Sequence, residues 1–597
     1  MGLKDQFTIL AETRTLLKTA NPDYGSILEN NITYKIPIYQ RPYSWRKLDI
    51  EKFIKTINKG FEENDPVFIG TMQLTAKDDN QIVSVIDGQQ RLTTFLMIFK
   101  AIDWLFPNTL CSRQLDLKWL ITDVNNGLHS NYLDEVLDAG SVENVFDNSI
   151  NPYASRILFI YDKLKEILID DGSVVSLNNF VDFIFKKVYF VVIVTKAGLS
   201  KTIQIFNTIN TTGLDLNGSD IFKIKMFEYL KKFKNAEDTI FNKISSLYER
   251  VDKFNGERKI NHIGMTNILR IYQYVIITRH NLPKTTFDLN STTFFQRLFD
   301  TILNVTQWPN FKSAKNNVDL SLDDLEKIIE LRYSYFDKSY SSAEEMLAVH
   351  LLGWSRYRVF WDIKFLFVFY NREKPDVWES MVEFDILLAK LVTIYSVRYS
   401  RSINSVVNAI RDVMFDMVHL SEEKIIENLK ILIGNRERHN GNGNDLNWFI
   451  SNNLTENAKR KYIVCLLSAF LDEMESGRFQ TPEDINKLEN SLFKTAIDIE
   501  HIESYHHEEV AVRPEHREEW KKHINTLGNL MVLERNFNRK IKNNSYPIKL
   551  KTYEKSQYTT VQRVRSSNKG WDIEKCEGRK KEEEDKLFYF LFNHTNE

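Results

Sequence analysis

The sequence predicts an α+β protein that is predominantly helical, with an α/β region in its first part. Apolar residues recur at three-to-four spacing over long stretches, which is typical of amphipathic helices. Short β-branched runs at residues 83–86 and 188–194 interrupt this periodicity and favour strands. Because 597 residues exceed what one hydrophobic core holds, we expect about two to four domains.

The composition is that of a soluble globular protein, with 43% hydrophobic and 27% charged residues. The 79 Lys and Arg residues against 81 Asp and Glu exclude a generally basic nucleic-acid coat, so any DNA contact requires a local patch. Three distant cysteines match neither a disulfide framework nor a zinc site. The N-terminus lacks a signal core and the apolar runs are too short for a bilayer, so we expect a cytoplasmic protein without membrane contact.

The first motif lies in residues 34–45, after a stretch over residues 1–30 that predicts a lead-in helix and a polar loop. Two prolines among aromatic residues favour an extended segment over a helix. We interpret the aromatic residues as core, and leave Gln40 and Arg41 open between a core and a ligand-binding role. A helix and then a strand over residues 68–74 are expected next.

The second motif is a turn between a predicted strand and a predicted helix, where the chain reads Asp87-Gly88-Gln89-Gln90-Arg91. A carboxylate, two amides and a guanidinium beside the unpaired N–H groups of a helix N-terminus suit a ligand that carries phosphate. Arg91 can bind phosphate oxygens as a fork, and Asp87 can hold a metal ion or orient water. Taken alone, an Asp-Gly turn with a surface arginine explains the same residues.

Two later stretches leave alternatives open. Asn207 and Asn210 lie at helical spacing before Gly213, and they either bind a ligand or cap neighbouring helices. Residues 240–480 predict a mostly helical region. Within it, three arginines form either a DNA-facing stripe or a solvated face: Arg398, Arg401 and Arg411.

Four motifs occur in the order and spacing of a known family: residues 36–45, 68–74, 87–94 and 206–213. Over residues 10–230 they resemble the N-terminal domain of the GmrSD family of modification-dependent (type IV) restriction endonucleases. The resemblance implies a ParB/sulfiredoxin-like α/β core that binds and hydrolyses a nucleoside triphosphate (GTP, ATP, UTP or CTP). It implies a catalytic Asp87 and these nucleotide-binding residues: Tyr39, Gln40, Arg41, Asp87, Gly88, Gln89, Gln90, Arg91, Asn207 and Asn210.

No Walker A or Rossmann glycine pattern is present, so NTPase activity would rest on the Asp87 turn.

A third constellation lies near the end of the chain, where Glu500-His501, then Gly528-Asn529, then Asn538 follow the order of an HNH (ββα-metal) nuclease. Hydrolysis of a phosphodiester requires a base for water and a divalent cation on oxygen ligands. We therefore expect His501 to be the base, Asn529 to orient it, and Glu500 and Asn538 to hold Mg²⁺ or Mn²⁺. Asn536 is a rival ligand. A zinc site on other histidines lacks cysteines and regular spacing: His506, His507 and His516.

Residues 480–590 also resemble the C-terminal nuclease domain of GmrSD proteins, including Lys549, Tyr553 and the helix at Trp571. The family usually has Pro where this chain has Ser504, so the loop beside the base departs from the pattern. Between Arg535 and Lys569 the chain has ten Lys or Arg residues and a single acid, which favours contact with DNA phosphates.

These motifs divide the chain into a nucleotide-binding domain (1–235), a helical middle (236–480) and an HNH nuclease domain (481–597). The expected function is NTP-dependent cleavage of modified double-stranded phage DNA, such as DNA with glucosylated hydroxymethylcytosine, in antiphage defence. Two alternatives remain: a phosphorothioate-sensing NTPase with a nicking nuclease, and a nucleotide-regulated DNA-binding module with an inactive nuclease. The sequence leaves open whether the protein forms a homodimer.

Overall fold

The structure of the protein is a computed structural model that describes most of the chain. The described residues are 8–21, 23–28, 32–38, 40–75, 81–107, 117–147, 151–169, 174–196, 218–237, 239–256, 263–283, 286, 288, 290–299, 318–337, 345–346, 348–349, 352, 361–398, 403–434, 463–477, 497–504, 514–566 and 570–592. The chain forms two compact units: Met1–Leu269 with Asn290–Ile329, and Arg270–Leu289 with Glu330–Glu597.

The first unit contains a seven-stranded mixed sheet with the strand order β2-β1-β7-β4-β5-β3-β6. Its strands are β1 (Thr8–Thr15), β2 (Gly25–Ser26), β3 (Thr33–Ile36), β4 (Val67–Thr75), β5 (Ile82–Asp87), β6 (Leu120–Thr122) and β7 (Val188–Lys196). The strands predicted at residues 68–74, 83–86 and 188–194 are confirmed as β4, β5 and β7.

The lead-in helix predicted at the start of the chain is wrong for the residues that form β1. This strand pairs with β7 along its whole length, from Thr8 opposite Lys196 to Thr15 opposite Tyr189. Local helical propensity is a weak preference, and a full-length ladder against a neighbouring strand overrides it.

Three neighbouring strands of the sheet, β5, β3 and β6, run parallel. Thr33 lies opposite Ile82, and Ile36 lies opposite Thr122. The carboxyl ends of parallel strands meet at one edge of a sheet, which is where open α/β sheets bind ligands. The segment after β3 and the Asp87 turn after β5, which the sequence marked as separate motifs, therefore lie side by side.

The helices as far as Asp337 are α1 (Lys47–Glu63), α2 (Gln89–Leu105), α3 (Leu128–Asp138), α4 (Ala154–Ile169), α5 (Val174–Lys187), α6 (Gly218–Lys234), α7 (Ile240–Gly256), α8 (Met265–Arg279), α9 (Ser291–Arg297) and α10 (Leu322–Asp337). Helix α2 lies at the centre of the first unit, and its side chains from Leu92 to Ile102 are buried. Because α2 is buried along most of its length, it fixes the position of the turn that precedes it.

The second unit continues with α11 (Ile363–Asn371), α12 (Val377–Arg398), α13 (Ile403–Asp416), α14 (Glu422–Gly434), a π-helical turn (Leu466–Leu471) and α15 (Asp472–Glu475). The mostly helical middle is thus confirmed over its described residues. Arg401 lies outside them, and Arg411 is half-buried on α13.

Glu473 accepts hydrogen bonds from the backbone N–H (2.5 Å) and Oγ1 (3.0 Å) of Thr559, so residues 463–477 pack with the C-terminal region.

The C-terminal region contains an antiparallel pair of strands, β8 (Ile497–His501) and β9 (Leu530–Glu534). Its helices are α16 (Pro514–Trp520), α17 (Arg535–Ile541), α18 (Tyr546–Tyr553), α19 (Thr559–Ser566) and α20 (Ile573–Phe592). The predicted α+β class with a predominance of helix is confirmed. In the described parts of the chain, no helix combines the length and apolar character that a membrane span requires.

Candidate active site

The candidate active site begins at the end of β8. This strand pairs with β9 from Ile497 opposite Glu534 to His501 opposite Leu530, and α17 follows β9 directly. Successive side chains of a strand point to opposite faces, so Glu500 and His501 have different surroundings. Glu500 is buried, whereas His501 is half-buried.

The imidazole of His501 is held by Asn525. Its Nε2 lies 3.0 Å from Oδ1 of Asn525, in the turn before β9. An amide oxygen can only accept, so this bond requires the proton on Nε2 and places the basic lone pair on Nδ1. Sequence reasoning missed Asn525, although it lies four residues before Asn529 in the same turn.

Asn529, the residue predicted to orient His501, instead contacts the loop that follows the histidine. Its Oδ1 accepts from the backbone N–H of Glu503 (2.8 Å), and its Nδ2 donates to the carbonyls of Glu503 and Ile524 (both 3.0 Å). Its own carbonyl accepts from the N–H of Ile502 (2.9 Å). One buried amide thereby joins the loops on both sides of the site.

Glu500, a predicted metal ligand, is bound to two buried side chains. Oε1 accepts from Lys549 Nζ (2.6 Å) and from the hydroxyl of Tyr553 (2.8 Å). Burial raises the pKa of Glu500, and the Lys549 ammonium opposes that rise. Lys549 also donates to the carbonyl of His501 (2.6 Å). Because both side-chain donors bind Oε1, Oε2 is the oxygen that a cation would use.

The other predicted ligand, Asn538, is half-buried on α17, whereas its rival Asn536 is exposed. The Asn538 side chain has no hydrogen bond to a described residue. Carboxylate and amide oxygens are ligands that Mg²⁺ and Mn²⁺ favour, so Glu500 and Asn538 fit such an ion. The described residues contain no group of three or more His, Cys, Asp or Glu side chains that could hold a metal ion.

The loop after His501 is closed without the usual proline. Ser504 donates from Oγ to the carbonyl of Asn544 (3.2 Å), which ties the loop to the chain just beyond α17. His516, one residue of the zinc alternative, lies 3.1 Å from Glu503 through Nε2. The other two, His506 and His507, lie outside the described residues.

Helix α20 anchors the turn from the opposite side. Arg579 donates from Nη1 to the carbonyls of Leu527 (2.6 Å), Gly528 (3.0 Å) and Leu530 (3.0 Å). A Cβ at Gly528 would lie 1.9 Å from the carbonyl oxygen of Cys576, so only glycine permits this approach. Sequence reasoning missed Arg579, because nothing in its local sequence separates it from the other charged residues of α20.

Eight of the ten cations in the basic strip between Arg535 and Lys569 fall into two groups. Lys549 binds Glu500, and Arg535 binds Asp498. Two further cations of the strip, Arg563 and Arg565, pair with acids elsewhere. Four others are exposed and form no ion pair with a described residue: Arg539, Lys540, Lys551 and Lys555. This second group on and after α17 and α18 is available to DNA phosphates.

In the first unit, Arg91 is bound by the protein. Its Nη1 donates to the carbonyl of Ile69 (3.0 Å), and its Nη2 donates to the carbonyl of Thr71 (2.5 Å) and to Asp87 Oδ2 (3.2 Å). Gly70 has a φ of 108°, and a Cβ there would lie 2.3 Å from Nη1. The guanidinium thus holds the turn against β4.

Two of the glutamines predicted to bind nucleotide also form hydrogen bonds with backbone groups. Gln40 donates from Nε2 to the carbonyl of Ile86 (2.7 Å), and Gln90 accepts at Oε1 from the N–H of Ser44 (2.8 Å). These bonds bring the segment after β3 onto the Asp87 turn. Gln89 is likewise buried.

Of the two arginines predicted to bind nucleotide, Arg41 is the one whose guanidinium is available to a ligand. It is half-buried and forms no hydrogen bond or ion pair with a described residue. Lys223 on α6 donates to the carbonyl of Ile38 (2.6 Å) and supports this segment, a contact that sequence reasoning missed. Three predicted residues lie outside the described residues: Tyr39, Asn207 and Asn210.

The contact between Asn525 and His501 generates a first prediction. Asn525→Ala should slow DNA cleavage about tenfold or more without weakening DNA binding, because the imidazole loses its fixed tautomer. Asn525→Asp should move the acid limb of the pH–rate profile to higher pH, since a carboxylate raises the pKa of a neighbouring imidazole. Cleavage rates and pH profiles identical to those of the wild type would remove Asn525 from the site.

The buried pair of Lys549 and Glu500 generates a second prediction. Lys549→Met should destabilise the C-terminal region by about 3–5 kcal/mol, because it leaves a buried carboxylate without its cation. Lys551→Met, on the exposed side of the same helix, is the matched control and should change stability by less than about 0.5 kcal/mol. Thermal unfolding of both variants checks this, and equal melting temperatures would contradict it.

Comparison with protein families matches two separate parts of the chain. A model described as the N-terminal domain of the GmrSD restriction endonuclease matches residues 24–227, and one described as the C-terminal domain of these enzymes matches residues 444–582. No curated protein matches the chain. The first match contains the Asp87 turn, and the second contains His501, Asn525 and Asn538. The chain belongs to the GmrSD family of restriction endonucleases.

Proposed function

We propose that the protein is a nucleoside-triphosphate-dependent endonuclease of the cytoplasm that cleaves modified phage DNA, with His501 as its general base. The observation that carries this proposal is the bond between His501 Nε2 and Asn525 Oδ1, which orients a basic nitrogen at the end of a ββα arrangement. A half-buried imidazole in a fixed tautomer is suited to take a proton from water.

The chain's own residues supply the remaining parts of the reaction. Glu500, through Oε2, and Asn538 would hold Mg²⁺ or Mn²⁺, which stabilises the charge that develops on the leaving oxygen. The unpaired cations of α17 and α18 bind the DNA backbone, and Asn529 keeps the loop after His501 in place.

We assign the nucleotide to the edge of the sheet where β5, β3 and β6 end. Arg41 and Asp87 contact it there, while Arg91, Gln40 and Gln90 hold the two segments together. Arg41 supports this division because it is the predicted cation without a partner among the described residues. Nucleotide can gate cleavage only if it binds the active and inactive conformations with different affinity.

A third prediction tests the nuclease. Purified protein should cleave DNA with glucosylated hydroxymethylcytosine, and not the unmodified DNA, when Mg²⁺ and a nucleoside triphosphate are present. His501→Ala should reduce the rate by about 10²–10⁴-fold and leave DNA binding intact. Asn538→Ala should raise the Mg²⁺ concentration needed for half-maximal cleavage, whereas Asn536→Ala, the matched control, should not. Wild-type rates in His501→Ala would reject the assignment of the base.

A fourth prediction separates the two arginines of the nucleotide site. Arg41→Ala should weaken nucleotide binding at least about tenfold without lowering the melting temperature, because a charge-assisted contact contributes on the order of 1.5–3 kcal/mol. Arg91→Ala should lower the melting temperature, because it leaves two strand carbonyls and Asp87 without their donor. Isothermal titration with GTP measures the first effect, and thermal unfolding measures the second. Normal nucleotide hydrolysis by the Asp87→Ala variant would exclude the nucleotide site.

A further inference from the structure

A cavity of about 420 Å³ lies beside the turn that holds His501. One wall is that turn, with Lys522, His523 and Thr526, and the other is helix α20, with Glu577, Lys580 and Lys581. Neither the predicted catalytic residues nor the basic strip of α17 and α18 contributes to it.

Both walls are fixed relative to the catalytic histidine. Asn525, which contacts His501, belongs to the same hydrogen-bonded turn, closed by the N–H of Thr526 on the carbonyl of His523 (3.1 Å). On the other wall, Arg579 precedes Lys580 and binds the carbonyls of the loop before β9. A group bound in the cavity would therefore keep a fixed position relative to the turn that contacts His501.

The charges around the cavity do not cancel. Glu584 lies 3.7 Å from Lys580 Nζ, so these two charges offset each other, and Glu577 lies 3.8 Å from His523 Nδ1. Lys522 and Lys581 are exposed and form no ion pair with any described residue. Three lysines and two glutamates thus line the cavity, and the positive charge that remains favours an anion.

We propose that this cavity binds a phosphate of the DNA backbone, through Lys522 and Lys581. The proposal rests on the proposed role of His501, since a backbone contact here would set the register of the strand at that residue. Lysines contact phosphates as point charges and do not recognise the base sequence, so the cavity positions DNA of any sequence.

The test measures binding of a labelled DNA duplex by full-length His501→Ala protein in EDTA, at several salt concentrations. Lys522→Ala with Lys581→Ala should weaken binding and lower the slope of log Kd against log salt by about 1 for each phosphate that is no longer neutralised. Glu577→Gln should tighten binding, because it removes a negative charge. Lys521→Ala, whose Nζ lies 3.4 Å from Glu518, is the matched control and should change neither quantity.

An unchanged Kd and salt slope in the double variant, with a wild-type circular dichroism spectrum, would overturn the proposal. Loss of GTP binding with DNA binding retained would also overturn it and assign the cavity to the nucleotide. Binding is measured here without cleavage. If His501 is not the base, this will therefore be seen in the cleavage assay and will not change the binding result.

Discussion

The arrangement of the nuclease region depends on one buried ammonium group. Lys549 reaches from α18 to the end of β8, where it neutralises Glu500 and donates to the carbonyl of His501. Both charges are costly to remove from water, so each is stable in the interior only while the other is present. The end of β8 is therefore positioned by a residue of α18.

Amide side chains hold neighbouring segments together around both candidate sites. Asn529 joins two loops of the nuclease, and Gln40 and Gln90 join the segment after β3 to the Asp87 turn. An amide has both donors and an acceptor, so one side chain can satisfy backbone groups of two segments at once. Backbone groups buried in loops require such partners, which explains why uncharged hydrogen-bonding residues dominate these motifs.

The sequence was informative where the structure depends on neighbouring residues. The β5–turn–α2 unit follows from a β-branched run, an Asp-Gly pair and helical periodicity. Contacts over long separations were not predictable. The partner of β1 lies in β7, and Lys549 lies 49 residues from Glu500. Spacing also could not decide between Asn525 and Asn529, because both lie in one turn and only its three-dimensional path shows which faces the imidazole.

The attachment of α20 to the turn before β9 has a consequence for how the protein is made. Arg579 follows Gly528 by 51 residues, so the ribosome completes the turn before it reaches the anchor. At roughly 5–20 residues per second, the interval lasts several seconds. A nascent chain in that interval has the residues of the candidate active site but not the helix that anchors it. The order of synthesis thus leaves the carbonyls of Leu527, Gly528 and Leu530 without the Arg579 guanidinium until α20 is made.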